Sequence, residues 1–170
     1  MKSVAFPIEK KNIKDILFDL AAFAFITLTP ALSHISSIPL YLLEPMRIVL
    51  LLSLVHTSKR NTYLLTIALP LFSFLISSHP SFFKAALISS ELALNIFLFY
   101  YLSKILNNYF GAALVSIIVS KAYYYIVKFG MLQTGLLGGE LTASPIWLQI
   151  ILSLVFAGYV GWFFKKRIQI

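Results

Sequence analysis

Apolar residues run along this chain in long blocks, each broken by a short polar or proline-containing stretch. The opening segment, residues 1–14, is polar, carries Lys2, Lys10, Lys11 and Lys14, and reads as a short surface helix. The first apolar run extends from about Ile16 to Ser36, with Pro30 late in it. It is too long for the core of a cleavable signal peptide, and no small-residue cleavage site closes it. Ile38 to Leu43, bounded by Pro39 and Pro45, reads as a loop or re-entrant piece, and a second span follows from Pro45 to His56. Thr57 to Asn61 forms a turn. The third span, Thr62 to Ser77, is short and carries Pro70, so it is expected to be kinked, tilted or shielded by protein. The fourth, Ser81 to Leu106, is the longest and is closed by Asn107 and Asn108; the fifth runs from about Ala112 to Val127. Lys128 to Ser144 is the longest connection, and Pro145 to Phe164 is the last span. With a hydrocarbon core of about 30 Å and a rise of about 1.5 Å per residue, the pattern predicts roughly six spans. The expected fold is an all-α integral membrane protein, a compact six-transmembrane-helix bundle in one domain, 1–170.

Composition strengthens this picture. The chain is 59% hydrophobic and only 12% charged, with a mean hydropathy of +0.88, which lies outside the range of soluble domains. One bundle uses up the length, leaving no room for an attached ATPase or other soluble catalytic module. The absence of cysteine removes disulfides, thiolate nucleophiles and cysteine-based metal sites. A net charge of +8 invites a nucleic-acid partner, but the basic residues are split among loops and ends instead of forming one face. Their distribution speaks instead to orientation. Placing the N-terminus, Lys59-Arg60, Lys104 and Lys165-Lys166-Arg167 on one side gathers ten of the fourteen basic residues there. By the positive-inside rule that side is cytoplasmic, with both termini in the cytoplasm and the bundle in the inner (cytoplasmic) membrane.

The remaining charges carry the candidate chemistry. Glu91 lies roughly 15 Å into the fourth span, where an unpaired carboxylate costs several kcal/mol, so a partner or a ligand is expected. Asn95 is one helical turn further on the same face. Lys121 in the fifth span reaches a similar depth, which allows a Glu91–Lys121 ion pair, a direct ligand contact, or both. Toward the outer side lie Glu44, Arg47, His79, Lys84, Lys128 and Glu140. Lys84 and Lys128 suit interfacial charges that snorkel to water. Arg47, three residues after Glu44, suits a local salt bridge or a fork for a ligand carboxylate or phosphate. At most one or two of Tyr123, Tyr124 and Tyr125 can share a cavity with Lys121, and Tyr125 is the one assigned there; the others, with Trp147 and Trp162, fit interfacial belts. The glycines at 135, 138 and 139 give the Gln133–Ser144 connection the freedom to act as a gate, with Glu140 reaching a ligand or Arg47 on closure. No enzyme motif is present: no HExxH, no GxSxG, no glycine-rich phosphate loop. The two aspartates, Asp15 and Asp19, sit near the cytoplasmic edge, and no catalytic set, metal site or cofactor site is expected.

The stretch Leu69 to Asn95 places Pro70 in the third span, Ser78-His79-Pro80 in the connection and Glu91-Leu92 in the fourth span. In these features it resembles the substrate-binding S components of energy-coupling factor (ECF) vitamin transporters, which are similar in length and have six spans. The resemblance implies a substrate pocket in the outer half of the bundle, roofed by the 1–2, 3–4 and 5–6 connections. Glu91 and Asn95 would line it, with His79 and Glu140 on the covering loops. It also implies a vitamin-like small-molecule ligand, and an ECF coupling subunit and ATPases acting in trans. Family members carry small residues spaced by four in the first helix. Here Ala21, Ala22 and Ala24 are clustered and Phe25 stands at that spacing, a departure from the pattern. The slight positive excess among the outer-half charges favours an anionic or zwitterionic ligand. The alternative is a structural membrane scaffold, similar to the six-span rod-shape-determining protein of the cell-wall elongation machinery, in which Glu91 and Lys121 serve only as interhelical glue.

Overall fold

The computed structural model describes residues 13–36, 39–77, 80–142 and 144–168. Its helices are α1 (Ile13–Ser36), α2 (Pro45–His56), α3 (Lys59–Ser77), α4 (Phe82–Ile105), α5 (Tyr109–Gln133) and α6 (Ile146–Ile168), with a short 3-10 turn at Leu40–Leu43. Among the described residues there is no strand, and the architecture is all-helical.

Four of these helices, α1, α4, α5 and α6, are long and apolar enough to cross a membrane. The bundle therefore fits a transmembrane protein, although the expected six spans are reduced to four by this criterion. The other two fall short for different reasons. α2 has 12 residues and a length of about 18 Å, well under the hydrocarbon thickness. α3 reaches about 28 Å but opens on Lys59, Arg60 and Asn61, which dilute its apolar run.

Burial explains how so short a helix as α2 persists. It packs against α1, α3, α4 and α6, and seven of its residues, Arg47, Val49, Leu50, Leu51, Ser53, Leu54 and Val55, are buried. A helix packed largely against protein needs no spanning length. Leu50 and Leu54 of α2 join Leu65 and Leu69 of α3, Leu92, Ile96 and Phe99 of α4, Ile117 of α5 and Val160 of α6 in the central core. The outward faces are apolar as well: Leu17, Phe97 and Ile150 are each more than half exposed, the inverse of a soluble surface. Trp147 and Trp162, near opposite ends of α6, are both 64% exposed, as interfacial belt residues would be.

At the end of the bundle that carries Lys59, side chains pin the helices together. Ser58 donates to Asp15 at 2.7 Å and Asn61 Nδ2 donates to Asp19 at 2.6 Å, which ties α1 to the start of α3. His56 and the Tyr159 hydroxyl lie 2.7 Å apart between α2 and α6. Both aspartates are thereby buried structural acceptors.

Several boundaries differ from expectation. α1 continues through Pro30 to Ser36, and α3 begins at Lys59, which shortens the turn before it to Thr57 and Ser58. α5 extends past Val127 to Gln133, because Gly130 alone is too weak a breaker to end a helix. Lys128 consequently sits on the helix and not in the connection. It is 5% exposed and donates to the Leu141 carbonyl at 2.8 Å, so it does not snorkel to water.

Candidate functional site

The end of the bundle opposite Lys59 holds a cavity of about 560 Å³. Its walls come from every helix: Ile26, Thr29 and Pro30 of α1, Pro45, Met46 and Arg47 of α2, Ser73 and Ser77 of α3, Lys84, Ile88, Glu91 and Leu92 of α4, Lys121, Tyr124, Tyr125 and Lys128 of α5, and Gln149 of α6. Tyr41, Glu44, Pro80, Leu141 and Ser144 close it from the connections.

The charged floor is a chain of ion pairs whose geometry follows from where α2 begins. Pro45 occupies the first turn of that helix, where its missing N–H costs nothing. Glu44 before it adopts φ 55° and ψ 58°, the left-handed region that glutamate seldom occupies. α2 thus starts inside the bundle, and Arg47, 3% exposed, projects from its first turn. Arg47 Nη2 donates to Glu91 of α4, and Arg47 Nη1 stands 2.9 Å from Glu44 Oε2. That second contact is an ion pair by distance without hydrogen-bond alignment, and Arg47 Nε has no partner among the described residues. The other Glu44 oxygen accepts from Lys121 of α5. Lys121 Nζ also donates to Gln149 Oε1 at 3.3 Å, the same oxygen that accepts from the Tyr125 hydroxyl at 2.8 Å. Gln149 Nε2 in turn donates to the Ser144 carbonyl at 3.0 Å, which fixes the orientation of the amide.

The expected Glu91–Lys121 pair is therefore not formed. Glu91 pairs with Arg47 and Lys121 with Glu44, because α2 wedges the guanidinium beside Glu91. The local Glu44–Arg47 salt bridge is present. Of the sequence candidates, Glu44, Arg47, Glu91, Lys121 and Tyr125 all border the cavity. Asn95 does not. It is 1% exposed, and its amide nitrogen lies 3.3 Å from Ser116 Oγ in the α4–α5 seam, one turn away from Glu91. Glu140 is exposed and off the cavity wall. His79 lies outside the described residues. Tyr124 joins Tyr125 at the cavity, whereas the Tyr123 hydroxyl donates to the Ser90 hydroxyl at 3.3 Å between α5 and α4. Lys84 and Lys128, expected at the interface, also line the cavity.

Gln149 escaped the sequence reading. Its signal was available: an amide near the start of an apolar span, which must find partners inside the bundle.

Four cations, Arg47, Lys84, Lys121 and Lys128, face two carboxylates, Glu44 and Glu91, leaving the lining with a formal excess of two positive charges. Among the described residues no cluster of three or more histidine, aspartate or glutamate side chains is placed to hold a metal ion. The arrangement can bind and orient a charged small molecule. No family model, curated protein or solved structure matches this chain.

Proposed function

We propose that this chain is the substrate-capture subunit of a small-molecule importer, similar to an ECF S component, with an anionic or zwitterionic vitamin-like ligand held in the outer half of the bundle. In this reading the chain performs no chemistry, and a coupling subunit with ATPases supplies energy in trans. The supporting observation is the cavity itself: about 560 Å³, with a wall surface that is mainly apolar, buried opposite charges along its floor and a net positive lining. Sites for small ligands have this character, a concave apolar volume of roughly 300–1,000 Å³ with a few convergent polar groups. The start of α2 adds the positive end of a helix dipole to the same floor, as broken helices do in other carriers. A scaffold that used these charges only as glue would have no need of an open volume beside them.

The orientation belongs to the same proposal. The chain lies in the cytoplasmic membrane with both termini and the Lys59 end inside and the cavity facing out. Reporter fusions at Lys59 and at the C-terminus are expected to read cytoplasmic, and a tag between Gly135 and Gly139 is expected to be accessible from outside. External accessibility at Lys59 would overturn this orientation.

Ligand capture is tested by thermal unfolding of the purified protein in detergent against a panel of anionic and zwitterionic vitamins and their precursors. A cognate ligand at a hundredfold over its Kd is expected to stabilise the protein by about 2.7 kcal/mol. Lys121→Met should remove that stabilisation. A panel without any stabilising compound would favour the scaffold.

A further inference from the structure

We propose that the Glu44 carboxylate stands in for the carboxylate of the ligand, and that binding is an exchange in which a ligand carboxylate replaces Glu44 between Arg47 and Lys121. The inference rests on the capture reading above and narrows its ligand to one bearing a carboxylate.

Glu44 spans two cations as a bound anion does, with one oxygen toward each: Oε2 is 2.9 Å from Arg47 Nη1, and Oε1 accepts from Lys121. Its hold is imperfect on both sides. Arg47 Nη1 stands at ion-pair distance from Glu44 without an aligned hydrogen bond. Lys121 divides its donors between Glu44 and the more distant Gln149 oxygen. A free carboxylate has no chain tether and can align with both donors.

The two floor carboxylates are not equivalent. Glu91 is held by Arg47 with its side chain 9% exposed, whereas the Glu44 side chain is 18% exposed on the cavity wall. Glu91 therefore stays as the permanent counter-ion and Glu44 is the exchangeable one. The backbone agrees. Among the described residues Glu44 and Asn107 are the non-glycine positions with positive φ, and Asn107 closes α4 where asparagine tolerates that conformation. Glu44 has no such excuse of residue type; its strained backbone is held by its N–H donating to the Tyr41 carbonyl and its own carbonyl accepting from Arg47 and Ile48, so the strain marks a built position beside the two cations. Charge points the same way: a ligand carboxylate that displaces Glu44 adds its negative charge to a lining that already carries a positive excess of two.

The experiment uses Glu44→Ala, which leaves a carboxylate-sized gap between the two cations. The variant is expected to unfold at lower temperature than wild type and to be restored by acetate, but not by acetamide or chloride. Benzoate, a larger carboxylate probe, should bind the variant at least about tenfold more tightly than wild type, if the tethered carboxylate fills the site nine-tenths of the time or more. Acetate acting no better than chloride, or equally on wild type and variant, would overturn the exchange. If Glu44→Ala does not fold, Glu44→Asp draws the carboxylate back by one methylene, and the same excess response to benzoate over benzamide is required of it. The two readings fail separately. A panel ligand without a carboxylate, combined with absent acetate rescue, defeats the exchange and leaves capture standing. Acetate rescue in a protein that no panel ligand stabilises leaves the carboxylate site and defeats capture.

Discussion

Arg47→Met is expected to destabilise the purified protein by about 3–5 kcal/mol, the largest loss of any single substitution considered for this fold. Arg47 is almost fully enclosed and is the direct partner of Glu91, so methionine fills much of its volume and leaves a buried carboxylate without its counter-ion. The loss comes from that stranded charge and not from the strength of the pair itself. Adding Glu91→Gln to Arg47→Met should accordingly recover more than half of the lost stability. The matching cycle between Glu91 and Lys121 should show weaker coupling, because Lys121 is bonded to Glu44. Equilibrium unfolding of the two single variants and the double variant in detergent measures both cycles. Strict additivity between positions 47 and 91 would contradict the pairing.

Gly161→Leu should cost about 1–3 kcal/mol, and the reason lies in backbone rather than charge. A Cβ at position 161 would stand 2.9 Å from the Phe110 Cβ and 3.1 Å from its Cα and N, so α6 and the start of α5 meet with no space for a side chain. Two of those three atoms are main chain and cannot swing aside, and separating the helices loosens the neighbouring Tyr109–Phe164 and Phe99–Phe164 ring contacts. Close approach through small residues is how helices associate where lipid offers no hydrophobic drive. Gly158→Ala supplies the control. It lies one turn earlier in α6, a Cβ there meets nothing within 4 Å, and the change should be neutral or slightly stabilising. Equal losses at both positions, read as shifts in thermal midpoint, would contradict the contact.

Much of the frame was legible because hydropathy and depth are one-dimensional. Counting residues inward from Pro80 locates Glu91 deep in α4, and an intramembrane carboxylate must have a partner. The identity of the partner was not legible, because it depends on azimuth and on where a broken helix restarts. Lys121 has the right depth, yet Arg47 takes Glu91, since α2 begins inside the bundle after the 3-10 turn and aims its first turn at α4. Asn95 shows the same limit from the other direction. It shares a face with Glu91, but one turn of rise carries it below the cavity and into the seam with Ser116. Lys128 was misread because glycine and a terminal position suggested a loop, whereas the α5 hydrogen-bond ladder runs on to Gln133. Gln149 was overlooked although a lone amide in an apolar span is as informative as a lone charge.

The brevity of α2 has a consequence for the birth of the protein. Twelve residues bearing an arginine cannot partition into lipid as an independent segment, so α2 depends on its neighbours for entry. Glu91 follows Arg47 by 44 residues, a delay of about 2–9 s at ordinary rates of translation. Glu44 is the carboxylate three residues upstream, delivered by the ribosome just before the charge it shields. The residue that bridges two cations in the finished bundle is thus also the counter-charge that accompanies the arginine from the start of its synthesis.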